Sequence, residues 1–270
     1  MPGLGPMALA GKSAITNTLS MNNFGHGTRF SALAATLLLW AAAASAAVFS
    51  EQNAASGAVA PKMTAPAIAG SSNYPPVEVS SDFDSGQRRR IGADLAALYQ
   101  IKGGGASALH QQVFGDVSGR NYLAFFTKRV SFIGKADSKD AYAYSYPGSR
   151  GIWLGEKPMQ DDTPQIRRIS TFMHEARHAG GENGGWTHAV CPLRPQAQQA
   201  PAPVLSGREA CDDAALGAYG IQAVFLYNVA RYCSNCSGKM QMDAAMFSQE
   251  LPSRIIDRDE QDLLLRDMGR

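Results

Sequence analysis

The chain has 270 residues, 45% of them hydrophobic and 18% charged. A charged fraction below the roughly 25% of ordinary soluble domains excludes a charge-driven disordered chain. The balance of 25 basic and 23 acidic residues lacks the basic excess of a nucleic-acid binder, and four cysteines are too few for a disulfide-framework miniprotein.

The charges are unevenly placed. Before Glu51 only Lys12 and Arg29 are charged, and residues 30–49 read FSALAATLLLWAAAASAAVF. A basic residue, an apolar run and the small-x-small site Ala44-Ser45-Ala46 predict an export signal over residues 1–46. Met21 is an alternative start with a more ordinary n-region. An uncleaved anchor is the rival reading, because twenty apolar residues are just long enough to span a bilayer. Either way the rest of the chain is expected outside the cytoplasm, in the periplasm, the cell envelope or the medium. Any membrane contact would run only through this segment. Without Lys12 and Arg29 the remainder carries equal numbers of acidic and basic residues. Residues 47–81 are dominated by Ala, Ser, Gly and Pro, and read as a flexible linker. Residues 82–270 are then one folded domain, long enough for a sizeable core.

Within that domain, Ser85–Ile101 has helical periodicity, with Ile91, Leu95, Leu98 and Tyr99 on one face, and stops at Gly103-Gly104-Gly105. Asn121–Gly134 is apolar and ambiguous between helix and strand. The run AYAYSY (141–146), the turn PGSRG (147–151) and Ile152–Leu154 predict a strand pair. Asp162 or Thr163 as N-cap and Pro164 in the first turn predict the start of a helix.

That helix carries STFMHEARHAGG (170–181). His174 and His178 are four residues apart, so on a helix they project from one face and can reach one metal ion. Glu175, beside the first of them, is placed to take a proton from a metal-bound water. With this composition a chance H-E-x-x-H is expected in roughly three of a thousand such chains. Two surface histidines on an amphipathic helix are the plain alternative.

HEARH after a strand pair resembles the active-site helix of the zincin metallopeptidases. The likeness covers roughly residues 140–215, and only the five-residue motif is specific. It implies zinc held by His174 and His178, Glu175 as general base, and a sheet whose edge strand, here Ile152–Gly155, holds a peptide or protein substrate. Arg177 departs from the pattern, since zincins usually keep the two middle positions uncharged. Gly181 matches the metzincin continuation, but Gly184 stands where its third ligand belongs.

A catalytic zinc takes three protein ligands and keeps one open position. His188 is the nearest further imidazole, and the glycine-rich stretch 180–185 could turn the chain back toward the metal. Three of the five histidines fall within 174–188. The alternatives are Glu209 or Asp212, at the start of a helix expected from about Ser206, and Glu182. An acidic cluster there could equally pair with the helix dipole, and Asp212 could instead accept a hydrogen bond from a ligating histidine.

The four cysteines all follow the motif. In an exported protein an even count favours disulfides. Of three possible pairings, Cys191–Cys211 with Cys233–Cys236 is preferred, since the first bridge would fix His188 relative to the acidic cluster. A zinc knuckle or redox pair at Cys233-x-x-Cys236 is the lesser alternative. Ala214–Ala230 is uncharged but contains Gln222 and Asn228, which suits a buried core helix better than a membrane span. Tyr219 or Tyr227 could donate to an oxyanion, although core packing is the commoner role. Leu251–Met268 reads as an amphipathic closing helix.

The sequence thus predicts an α+β, zincin-like single domain, with a small mixed or antiparallel sheet on the motif helix and a helical C-terminal part. Its expected function is zinc-dependent peptide hydrolysis. The alternative, favoured by Arg177 and the missing metzincin ligand, is a non-catalytic cell-envelope protein with a structural or vestigial metal site.

Overall fold

The computed structural model describes residues 76–137, 142–180, 187–192 and 205–270. The export segment, most of the linker, the glycine run after the motif with Glu182, and residues 193–204 lie outside them. The first element, β1 (Glu78–Val79), falls in the last residues of the segment read as linker.

Helix α1 (Ser85–Gln100) starts where a capping box satisfies two otherwise orphaned N–H groups. The Gln87 N–H donates to Asp84 Oδ1 at 2.8 Å, and the Asp84 N–H donates to Gln87 Oε1 at 3.2 Å. Ile91, Leu95 and Leu98 form its buried stripe. After α2 (Ala108–Phe114), the ambiguous apolar segment is both things in turn: helix α3 (Gly119–Arg129), then strand β2 (Phe132–Lys135).

Strands β3 (Ala143–Ser145) and β4 (Gly151–Leu154) form the expected antiparallel pair. The turn between them uses Gly148 and Arg150 at positive φ (73° and 55°), costly for Arg150 but not for glycine. The sheet order is β1-β2-β4-β3, with β1–β2 and β2–β4 parallel. This corrects one expectation: Ile152–Gly155 is not an edge. The β4 strand lies inside the sheet, and the edge next to it is β3. The chain passes from β2 to the outer strand β3 before turning back as β4, which places β4 beside β2 and parallel to it.

Helix α4 (Gln165–Ala179) carries the motif. Pro164 itself occupies the N-cap position, with no side-chain cap. Thr163 Oγ1 donates instead to the Lys157 carbonyl, so neither Asp162 nor Thr163 caps as expected. Ile133, Ile152 and Leu154 of the sheet and Ile166, Ile169, Phe172, Met173 and Ala176 of α4 are buried in one core with Leu98, Tyr122 and Phe126. Burial of such side chains contributes about 1.5–3 kcal/mol each, so the motif helix is held by its apolar face.

A second link is polar. Arg168 Nε and Nη2 donate to Asp94 Oδ2 and Oδ1 at 2.7 and 2.9 Å, and Gln165 Nε2 donates to Oδ1 at 3.1 Å. This bidentate pair ties α4 to α1 inside the core. Burial lifts the Asp94 carboxyl above its ordinary value even with the guanidinium beside it.

The C-terminal part begins with a two-stranded antiparallel ribbon, β5 (Ala189–Val190) and β6 (Glu209–Cys211). The expected helix start near Ser206 is therefore a strand. Helix α5 begins only at Ala218 and runs to Tyr232, because Asp212 and the turns after it are committed elsewhere. Its two polar residues are satisfied in the core: Gln222 Nε2 donates to Ser170 Oγ, and Asn228 Nδ2 donates to Ser107 Oγ and the Val224 carbonyl. Helices α6 (Gly238–Glu250) and α7 (Arg258–Asp267) close the domain. Among the described residues no helix is long and apolar enough to cross a membrane.

Candidate metal centre

His174, Glu175 and His178 come from the C-terminal half of α4, all at most 7% exposed. His188 arrives from a separate segment, just ahead of β5. The three Nε2 atoms form a nearly equilateral triangle: His174–His188 3.3 Å, His174–His178 3.3 Å and His178–His188 3.2 Å. Among the described residues this is the group of three or more potential ligand side chains suited to one metal ion.

The triangle is informative in two ways. For tetrahedral zinc with Zn–N bonds of about 2.0–2.1 Å, the distance between ligand nitrogens is about 3.3–3.4 Å, close to the observed edges. Hydrogen bonding cannot satisfy all three contacts. A ring nitrogen in a given tautomer either donates or accepts, so among three nitrogens at least two are alike and face each other. A central cation accepts a lone pair from each and removes that conflict. Burial, with the neighbouring His178 and His188, holds His174 well below its ordinary pKa, which keeps it in the neutral form a metal requires.

Behind the triangle, Asp212 Oδ1 is 2.9 Å from His188 Nδ1, the arrangement that turns a histidine's Nε2 lone pair toward a metal. The other oxygen, Oδ2, accepts from the Tyr219 N–H at 2.7 Å. Asp212 is thus placed behind His188, not among the ring nitrogens. Glu209 lies exposed on β6 and is not part of the cluster.

The disulfide Cys191–Cys211 staples β5 to β6 between these two residues, and Cys233–Cys236 closes a tight loop after α5. Both are the preferred pairings, and no cysteine is free. Two disulfides suit an oxidising, non-cytoplasmic setting.

The Tyr219 ring stacks on His188 (4.7 Å, 23°) and meets His174 edge-on (4.6 Å, 67°). The Arg254 guanidinium also sits over the Tyr219 ring, 4.8 Å from its centroid. No spacing or motif singles out Arg254, which lies far along the chain in the short helical turn Leu251–Arg254. Tyr227 instead packs against the cluster that contains Leu264 and Met268. Arg177 is also explained: its Nε donates to the Leu216 carbonyl at 3.1 Å, linking α4 to the start of α5.

Glu175 is buried, and its Oε2 has no hydrogen-bond partner. Burial pushes its carboxyl up to about 8, opposed by the Ser145 hydroxyl. Ser145 Oγ also donates to the Glu175 carbonyl at 3.0 Å, so edge strand β3 runs directly beside the motif.

Comparison with protein-family models, with curated proteins and with solved structures finds no match to this chain.

Proposed function

We propose that the chain is an exported zinc-dependent metallopeptidase. The observation that carries this reading is the Nε2 triangle, whose edges fit three imidazoles around one tetrahedral ion. A three-histidine set favours zinc and leaves a fourth position open. Bound there, zinc would supply a Lewis acid and lower the pKa of a water molecule.

The chain's own groups fit the rest of the chemistry. Glu175 is the acid–base group. It takes a proton from the attacking water and returns one to the leaving amine nitrogen. Its buried setting excludes bulk water, and its unpartnered Oε2 is free to take part.

Edge strand β3 can hold an extended peptide. The Gly155 N–H donates to the Tyr142 carbonyl, and Tyr144 lies opposite Trp153. Antiparallel ladders alternate, so Ala143 and Ser145 turn their N–H and C=O groups to the open side. A peptide pairing there passes Glu175.

The test is Glu175→Gln in the full chain. Zinc content should stay stoichiometric while kcat/KM on a mixed peptide pool falls at least about 100-fold. Hydrolysis at the parent rate would refute the role of Glu175. Zinc in the parent with no hydrolysis of any peptide would favour a structural metal site.

A further inference from the structure

A cleft of about 350 Å³ opens where α4 begins, with Tyr142, Lys157, Asp162, Thr163, Pro164 and Arg167 in its lining. It does not include the histidines, but the chain segment 142–145 and α4 border both. Two contacts fix this. Ser145 touches Glu175, and the Arg167 guanidinium sits 5.7 Å from the Tyr142 ring. Strand β3 therefore runs back along α4 from the motif to the cleft. Three residues of extended chain cover about 10 Å, and eight residues of helix about 12 Å, so both elements place the cleft at a similar distance from Glu175.

The cleft is built for an anion. Neither Lys157 nor Arg167 makes an ion pair among the described residues, although Asp162 shares the lining. The Arg167 guanidinium is held by two rings, Phe247 at 4.7 Å and Tyr142 at 5.7 Å, so its ordering is already met before any ligand arrives. Tyr142 itself lines the cleft beside Arg167. No side chain caps α4, and its positive end adds to the same preference.

We propose that this cleft is a substrate subsite for a carboxylate, selecting peptides with an Asp or Glu about three residues from the bond that is cut. The inference rests on the peptidase reading, and its chemistry is charge-assisted hydrogen bonding from Lys157 and Arg167.

The test uses the zinc-loaded full chain. Cleavage sites mapped in a mixed peptide pool should be enriched in Asp or Glu about three residues from the cut. The best peptide should lose about tenfold in kcat/KM when that residue becomes Gln or Asn. Lys157→Ala, at an exposed position, should abolish this ratio. Arg167→Gln should reduce it too, and Asp162→Asn should enlarge it. Equal rates for acidic and neutral peptides, or a ratio that survives Lys157→Ala, would overturn the subsite while leaving the peptidase reading intact. If nothing is cleaved, the peptidase reading fails, and binding of the same pool to Glu175→Gln still decides the subsite: retention of acidic peptides that Lys157→Ala abolishes supports it, and no retention overturns it.

Discussion

His188 Nδ1 and Asp212 Oδ1 are 2.9 Å apart, and the Cys191–Cys211 disulfide joins the two strands between them. One residue supplies a corner of the nitrogen triangle. The other fixes which ring nitrogen of that residue carries the proton. His188 stands just ahead of the two-residue strand β5, and these tethers fix its position.

Asp212→Asn should therefore weaken metal binding without removing it. The amide can still accept from His188, but it lacks the charge that raises ligand basicity. Loss of such partners typically costs 10–100-fold in affinity, and competition against a chromogenic chelator would measure it. Unchanged affinity would mean that Asp212 serves only to hold the Tyr219 N–H.

Removing the Cys191–Cys211 bridge should act on both fold and site. Its cysteines are 20 residues apart, and closing a loop of that length is worth about 3 kcal/mol. The double variant Cys191→Ser/Cys211→Ser should lose stability of that order in urea melts of the apo protein. It should also bind metal more weakly than the parent. Cys233–Cys236 spans a separation of 3 and packs away from the histidines, so its loss should leave metal affinity unchanged.

The Arg168–Asp94 pair predicts an asymmetry between single and double substitution. Arg168→Met strands a carboxylate that is 0% exposed, and breaking such a pair from one side costs about 3–5 kcal/mol. Replacing both residues, Asp94→Leu with Arg168→Met, removes the stranded charge and should recover much of that loss. Denaturant midpoints of the two singles and the double would show it. Additive losses would mean that the pair is not coupled.

What was legible in the sequence was local. Periodicity and the Gly103–Gly105 stop located α1, Pro164 marked the start of α4, the aromatic alternation and PGSRG turn located the β3–β4 pair, and the histidine spacing placed two corners of the triangle. The third corner, His188, was one of several candidates, because its place depends on the Asp212 contact and on a disulfide rather than on any helical period. The sheet order was not legible. Nothing in IWL (152–154) distinguishes an edge strand from one flanked on both sides; that follows from β2 pairing in parallel with β4 on the side away from β3. Asp212 looked like a first-turn acid of a helix, since the CDD run followed by an apolar stretch carries the helix-start pattern. The ribbon and the bridge to Ile255 overrode it. Arg254 was invisible because it reaches the site only through tertiary packing.

The last prediction concerns pH and a histidine outside the metal centre. His110 is 0% exposed, with Nδ1 2.7 Å from the Gly115 carbonyl and Nε2 2.7 Å from the Tyr122 hydroxyl. Burial pushes its pKa down to about 4 from 6.5. Between those values the unfolded chain binds the proton and the folded one does not, so acid favours unfolding. The contribution is fully present above pH 6.5 and is lost as pH falls toward 4, by about 3 kcal/mol at full extent. Urea midpoints of the apo protein from pH 7 to 4 should fall more steeply for the parent than for His110→Gln, which lowers stability at pH 7 but cannot titrate. Parallel slopes would show that His110 is not the group that responds, and would shift the acid sensitivity to the histidine triangle.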